Sequence, residues 1–290
     1  MSARFLRFTM QPIVPLTAAD IPDCISLSTE AGWNQNDDDW RRILASGEVY
    51  GLRDRDTLIA SSAILPYGSS FGWICMILVT GSERRRGHAL RLMQNCIERL
   101  EQRGLTAGLD ATPAGRTVYL QLGFEDIYPL SRLHAVQVSV EHNQPAGTAI
   151  APLSAADWPQ VVRHDAAAFG GDRAALLIAL QRERPDLAFV ARREGTLAGY
   201  VFGRDGQFAT QIGPIVADMP DVARDLSLAS LGSIRGPVMI DVPDHQREFY
   251  SWLLRCGFER QRGFTRMLRG RSRPFDRPHL IMAITGPEFG

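Results

Sequence analysis

The sequence predicts an α/β protein made of two tandem copies of one unit, each a mixed, mostly antiparallel twisted sheet flanked by helices. Three observations support this prediction. A segment near the start recurs in the second half, apolar runs with strand-like and helical spacing alternate, and glycine-rich or polar turns separate them. The chain has 290 residues, which is enough for two domains of ordinary size.

The repeat is clearest at the start of each copy. Residues 15–22 read PLTAADIP and residues 152–159 read PLSAADWP, an offset of 137 positions. Each places Thr or Ser three positions before Asp, a pattern typical of a helix N-terminus. Segment 139–149, SVEHNQPAGTA, reads as a linker. We therefore expect a boundary near residue 145, with domains at 1–144 and 145–290.

In the first copy, the apolar spacing predicts three strands, a helix, a fourth strand and a short second helix. Leu90, Met93, Ile97 and Leu100 are expected on one face of the first of these helices. In chain order, the predicted elements are strands 49–53, 57–66 and 71–79, helix 87–103, strand 106–111 and helix 114–121.

Composition argues against several classes of function. Lys plus Arg equals Asp plus Glu, 32 of each, whereas a general nucleic-acid binder carries a basic excess. No stretch of 18 apolar residues occurs, so we expect no membrane span and a cytoplasmic protein. The four cysteines form no C-x-x-C pair and lie near no His cluster, which predicts neither a metal site nor a disulfide framework.

The stretch SERRRGHALRLM (82–93) joins a strand-like run to a helical one. A helix N-terminus leaves about four backbone N–H groups without intrahelical partners and favours negative charge. Gly87 and the small Ala89 would let a ligand approach the backbone closely. The spacing Arg84-x-x-Gly87-x-Ala89 therefore suits a compact anion such as a pyrophosphate.

These residues, ILVTGSERRRGHALRLM, resemble the coenzyme-binding motif of the GNAT acyltransferase superfamily, and LDATPAGRTVYLQLGF (109–124) resembles the strand and helix that follow it. The resemblance implies acetyl-CoA as cosubstrate. It implies that the loop binds the pyrophosphate and that the preceding strand binds the pantetheine arm through its backbone. The implied coenzyme-binding residues are Ile77, Leu78, Val79, Arg84, Arg85, Arg86, Gly87, His88, Ala89 and Thr112.

The second copy lacks this motif. At the same offset, Arg84, Gly87 and Ala89 correspond to Asp221, Arg224 and Leu226, and the acidic residues would repel a pyrophosphate. The segments IDVPD, RGFTRM and ITGPEFG resemble the diverged C-terminal domain of YitH/HolE-type tandem GNAT proteins. We therefore expect coenzyme in the first copy alone.

The resemblance implies that Tyr119, four residues before Gly123, donates a proton to the coenzyme's sulfur. A free tyrosine has a pKa near 10 and a thiol near 8.5, so Tyr119 needs a lowered pKa or acts mainly as a hydrogen-bond donor. Asp110 is our candidate for the base, although the sequence leaves other bases open. These are Glu30, Asp37, Asp38, Asp39 and His134.

Trp33 and Trp40 bracket NQNDDD, where GNAT proteins form part of the acceptor pocket. Trp33 is our candidate for substrate binding, and core packing is the alternative for both. The arginine-rich stretch 260–278 reads as a solvated strand face, with a site for a carboxylate or phosphate of the substrate, or a nucleic-acid surface, as alternatives.

The leading hypothesis is an N-acetyltransferase that moves an acetyl group from acetyl-CoA to a small-molecule primary amine. The alternative is a non-catalytic acyl-CoA-binding sensor. We expect no metal, nucleic acid or membrane partner, and the sequence leaves the oligomeric state open.

Overall fold

A computed structural model describes residues 11–139 and 148–290. The predicted boundary near residue 145 lies outside these residues. The helices and strands of the first half follow the predicted order. They are β1 (Ile13–Pro15), α1 (Ile21–Glu30), α2 (Asp37–Ser46), β2 (Glu48–Asp54), β3 (Thr57–Tyr67), β4 (Phe71–Val79), α3 (His88–Glu101), β5 (Thr106–Ala111), α4 (Pro113–Gln121) and β6 (Phe124–Ala135).

The second half repeats the same order and ends with one additional short strand. Its elements are β7 (Ala149–Pro152), α5 (Trp158–Phe169), α6 (Ala174–Glu183), β8 (Phe189–Arg193), β9 (Thr196–Arg204), β10 (Thr210–Ala217), α7 (Pro220–Leu231), β11 (Val238–Pro243), α8 (Arg247–Arg255), β12 (Glu259–Arg269) and β13 (Ile281–Ala283).

The repeated PLTAADIP and PLSAADWP segments begin both halves in the same way, as predicted. The carboxylate of Asp20 accepts a hydrogen bond from the Thr17 amide at 2.8 Å, and that of Asp157 accepts one from the Ser154 amide at 2.8 Å. Each pair closes a capping box over a short 3-10 turn that leads into α1 or α5.

All strands of the described residues belong to one mixed, mostly antiparallel sheet, in the order β1-β2-β3-β4-β5-β12-β6-β11-β10-β9-β8-β7, with β13 beside β10. The pairs β4–β5 and β10–β11 are parallel. The two halves exchange their last long strands, since β12 lies between β5 and β6, and β6 lies beside β11. Residues of the second half therefore reach the centre of the first half.

Helix α3 packs on the first half's sheet through a stripe that begins at Leu92 and includes Met93, Cys96, Ile97 and Leu100. Leu90, predicted on this face, is instead 40% exposed. The reason is that His88 to Arg91 precede the packed part of the helix, so the first turn stays at the surface.

Candidate active site

A gap between β4 and β5 forms the candidate site. The two strands pair in parallel from Phe71–Trp73 to Thr106–Gly108 and then diverge. A β-bulge at Met76, whose φ is +53°, bends β4 at this point. The resulting cavity has a volume of about 600 Å³ including its open mouth. It is lined by residues of both strands together with Trp33, Gln35, Thr112, Tyr119, Arg132, Arg262, Phe264, Pro287 and Glu288.

The end of β4 exposes its backbone toward this gap. The Thr80 amide donates to the Ile59 carbonyl at 2.9 Å, and Leu78 lies opposite Ser61. Because backbone groups alternate in direction along a strand, the N–H and C=O of Leu78 point toward β3, while those of Val79 point toward the gap. Ile77 lines the cavity. Among the three strand residues predicted to bind coenzyme, Ile77 and Val79 thus lie on the open side.

The loop before α3 has the features expected of an anion site. Gly87 is the N-cap of α3 with φ +84°, so no side chain caps the helix and its first amides stay open. No heavy atom lies within 4 Å of a Cβ placed at Gly87, which leaves room for a ligand. Arg84, Arg85 and Arg86 are exposed. The residues present therefore fit a pyrophosphate, which a helix N-terminus and nearby arginines bind.

Three of these loop residues have contacts within the chain. The Nε atom of Arg84 donates to the Val79 carbonyl at 3.2 Å. Glu83 accepts from Arg86 at 3.2 Å and lies 3.3 Å from Nε2 of His88. Ala89 is half-buried in the first turn of α3. These contacts hold the loop close to the end of β4.

Glu30, a candidate base, instead stabilises this loop through hydrogen bonds. Its carboxylate accepts hydrogen bonds from the Thr80 hydroxyl at 2.7 Å and from the Gly81 amide at 2.6 Å. The hydrogen bond from Thr80 is the main reason that the pKa of Glu30 lies below its usual value. The carboxylate therefore stays charged and engaged at neutral pH.

Tyr119 reaches the cavity from α4. Thr112 caps this helix by accepting from the Gly115 amide at 3.2 Å and also lines the cavity. The tyrosine ring packs near Phe124, with centroids 6.1 Å apart. Burial raises the pKa of Tyr119 to about 12. A lowered pKa is thus not found, so its phenol stays protonated and suits the role of hydrogen-bond donor.

Asp110 lines the cavity but is fully engaged by another side chain. Arg266 binds both carboxylate oxygens, with Nε to Oδ1 at 3.0 Å and Nη2 to Oδ2 at 2.9 Å. The same guanidinium binds Asp276 at 2.8 Å and the Tyr128 hydroxyl at 2.9 Å. Burial raises the pKa of Asp110, and Arg266 opposes this effect. The geometry favours a structural role for Asp110 over that of a base.

The other candidate bases lie elsewhere. Asp37 pairs with Arg41 at the surface, and Asp38 is exposed. Asp39 is buried and binds Arg204 at 2.8 Å. His134 lies on β6 opposite Met239 and Glu259 and is not among the residues that line the cavity. None of these four side chains therefore reaches the gap between β4 and β5.

The two tryptophans have different positions. Trp33 is half-buried and lines the cavity, as expected for a substrate-binding residue. Trp40 is fully buried in the core, where its Nε1 donates to the Ser28 hydroxyl at 3.3 Å. Gln35, which sequence reasoning missed, also lines the cavity and is 4% exposed.

Sequence reasoning also missed the contribution of the second half to this cavity. Arg262 and Phe264 come from β12, and Glu288 comes from the ITGPEFG segment. Glu288 is buried and its Oε1 binds Arg204. The arginine-rich composition of 260–278 indicated an anion site as one alternative. No local sequence pattern indicates that Glu288 lies in the cavity, because its position depends on the path of the chain after β13.

The corresponding gap of the second half is occupied by the chain itself. Strands β10 and β11 pair in parallel at Thr210–Ile212 and Val238–Ile240 and then diverge. β13 pairs with β10 at Ile215 and Val216, and the Ile284 amide donates to the Asp241 carbonyl of β11 at 3.0 Å. At the start of α7, Asp221 binds Arg193 at 2.5 Å. A pantetheine arm would have to displace β13 here.

Comparison with known proteins identifies a domain of the same description in each half of the chain. A profile described as an acetyltransferase (GNAT) domain matches residues 12–127, and a second profile with the same description matches residues 161–282. The chain belongs to the GNAT acetyltransferase family. It carries two GNAT domains in tandem and is an acyltransferase of the class that uses acyl-CoA.

Several proteins are similar to this chain over most of its length. The uncharacterized N-acetyltransferase YitH of Bacillus subtilis (strain 168) is 22% identical over 274 residues, covering 94% of this chain and 96% of the relative. A putative acetyltransferase from Pyrococcus horikoshii has a TM-score of 0.80 at 20% identity, covering 100% of this chain and 99% of that one. A tandem GNAT protein from the clavulanic acid biosynthesis pathway has a TM-score of 0.63 at 17% identity, covering 89% and 97%.

The described residues hold neither a metal-ligand cluster nor a helix that could span a membrane. Within the described residues, no cluster of three or more His, Cys, Asp or Glu side chains is arranged to hold a metal ion. In the same part of the chain, no helix is long and apolar enough to cross a membrane.

Proposed function

We propose that this protein transfers an acetyl group from acetyl-CoA to the amine of a small molecule, with the chemistry in the first half. The observation that carries the proposal is the gap between β4 and β5. The backbone of Ile77 and the ring of Tyr119 line this gap, and the open loop before α3 follows the end of β4. The boundary near residue 145 is part of the proposal.

In this account, the amides of 84–89 and the exposed arginines hold the pyrophosphate. The backbone groups of Ile77 and the amide of Val79 bind the pantetheine arm and polarise the thioester carbonyl, while the Val79 carbonyl accepts a hydrogen bond from Arg84. Acetyl-CoA supplies the activated acyl group. The neutral acceptor amine forms the new C–N bond, the C–S bond breaks, and the proton lost by the amine nitrogen passes to solvent. Tyr119 stabilises the departing thiolate with a hydrogen bond from its hydroxyl.

The acceptor amine is expected on the opposite side of the cavity, beside Trp33, Gln35 and Glu288. An alkylamine with a pKa near 10.4 is neutral only about once in 2,500 at pH 7, which costs about 4.6 kcal/mol. Glu288 is the carboxylate we propose to receive the ammonium group, because its Oε2 has no hydrogen-bond partner among the described residues. Asp110 is assigned to holding Arg266.

Steady-state release of thiol from acetyl-CoA with a library of primary amines tests this function. Turnover with at least one amine, reduced in Tyr119→Phe, is the expected result. Binding of acetyl-CoA without turnover of any amine would contradict it and favour a coenzyme-sensing role.

A further inference from the structure

Arg262 is placed against the cavity by an irregularity in its strand. In the pairing of β12 with β6, Arg260 lies opposite Leu133 and Arg262 opposite Arg132, so Gln261 is the extra residue of a β-bulge. Bulges change the direction of the side chains that follow them and are frequent beside functional sites. The Arg262 guanidinium lies 5.2 Å from the centre of the Phe264 ring. Both side chains line the cavity.

The Arg262 guanidinium has no counterion. Within residues 11–139 and 148–290 it forms no hydrogen bond and no ion pair, and its Nε atom is buried without a partner. Burial, together with the charge of Arg132, lowers the pKa of Arg262 to about 10, so it remains protonated at neutral pH. Arg262 is half-buried, and a cation whose Nε atom is buried without a partner is costly; a ligand anion would remove that cost.

The other charged side chains that line the cavity are already paired. Each forms an ion pair with a buried side chain of opposite charge, so none of them balances the charge of Arg262. These pairs are Arg132 with Asp241 at 2.7 Å, Asp110 with Arg266 at 2.9 Å, and Glu288 with Arg204. Arg262 is therefore the single unbalanced charge among the described residues of the cavity wall.

The same wall also has acceptors without donors. The Oε1 atom of Gln35 is buried and has no hydrogen-bond partner among the described residues. Oε2 of Glu288 accepts no hydrogen bond from that part of the chain either. A buried acceptor without a partner is unfavourable, so a bound ligand that donates an N–H group to Gln35 is favoured here.

We propose that the acceptor substrate is an amino acid or a similar small amino-carboxylate, whose carboxylate binds Arg262 and whose amine faces Gln35 and Glu288. A single negative charge balances Arg262, whereas a phosphate dianion would leave excess negative charge beside Asp110 and Glu288. A planar carboxylate also matches the paired donors of a guanidinium. The inference rests on the proposed function, because it assigns the acceptor of that same site.

The test uses the full chain with the standard L-amino acids, their α-carboxamides and their aminophosphonate analogues as probes. We expect kcat/KM for the best amino acid to exceed that of its carboxamide by tenfold or more, equivalent to at least about 1.4 kcal/mol. Arg262→Gln should bring this ratio close to one, and Arg262→Lys should restore part of it. Arg271→Gln is the matched control, because Arg271 is exposed in the same arginine-rich stretch.

Binding of the same probes, measured by calorimetry in the presence of CoA, separates the two proposals. Selective binding of an amino acid over its carboxamide, lost in Arg262→Gln, would support this inference even if no acetyl group were transferred. Equal or better use of carboxamides or plain amines by the wild type would overturn it while leaving acyl transfer intact. A preference for the phosphonates would likewise overturn the assignment to a carboxylate. Thermal melting establishes that each variant is folded.

Discussion

Replacing Tyr119 with phenylalanine removes one hydroxyl from the cavity and leaves the ring in place. The hydroxyl forms no hydrogen bond within the described residues, and the ring keeps its packing near Phe124. Because no buried partner loses a hydrogen bond, the free energy of unfolding should change by less than about 0.5 kcal/mol. Catalysis should therefore respond far more strongly than stability.

The size of the catalytic loss follows from the raised pKa of Tyr119. Because the phenol has a pKa of about 12 and a thiol has a pKa near 8.5, complete proton transfer from Tyr119 to the thiolate is uphill by about 5 kcal/mol. A hydrogen bond to the charged sulfur is the larger contribution, and such bonds are worth about 1.5–3 kcal/mol. We expect kcat to fall by about 10- to 150-fold.

The assay is steady-state thiol release with the best amine found for the wild type, together with the Kd of acetyl-CoA. Tyr250→Phe is the matched control, because Tyr250 lies on α8 outside the cavity. Gly115→Ala retains the hydroxyl but places a methyl group 2.8 Å from Cε2 of Tyr119, so it should also lower kcat. A Tyr119→Phe variant that keeps more than half of the wild-type kcat would refute this role.

Three further predictions follow from the surroundings of the cavity. Asp110→Asn should lower the free energy of unfolding by about 3–5 kcal/mol in urea titrations, because it breaks a buried ion pair with Arg266; unchanged stability with lost turnover would make Asp110 the base after all. Glu30→Gln should raise the Kd of acetyl-CoA about 3- to 10-fold by loosening the bonds to Thr80 and Gly81, and an unchanged Kd in calorimetry would contradict this. In pH–rate profiles, kcat/KM should rise from pH 6 to 9 as the amine loses its proton, with no decline from ionisation of Tyr119, whose pKa is about 12.

The fold class and the position of the loop before α3 were predictable because their signals are local. Strand 106–111 was predicted with the observed bounds, and the helix predicted at 87–103 is His88–Glu101. Gly87 marks the start of α3 through its left-handed backbone, a preference that the residue itself carries. The prediction that Leu90 lies on the packed face of α3 was wrong, because helical periodicity does not reveal where packing against the sheet begins.

The acceptor side of the cavity was not predictable, because it depends on contacts between distant segments. The composition of 260–278 predicts that Arg266 lies on a solvated strand face, yet it is buried in an ion pair with Asp110, 156 residues away. This follows from the position of β12 between β5 and β6, which the sequence of one half does not specify. Glu288 reaches the cavity only after β13 has filled the gap of the second half.

The exchange of strands has a consequence for the role of the second half. Since β12 completes the first half's sheet and Arg262, Phe264 and Glu288 line its cavity, the second half supplies part of the wall that we propose binds the acceptor. The half whose own gap is filled by β13 thus contributes side chains to the cavity of the other half.

Calorimetric titration of the full chain with acetyl-CoA tests the central claim most directly. The open loop and gap of the first half, and the gap of the second half that β13 fills, predict one coenzyme site per chain. Two sites per chain would contradict the assignment of the second half as silent, and no binding would contradict the coenzyme site itself.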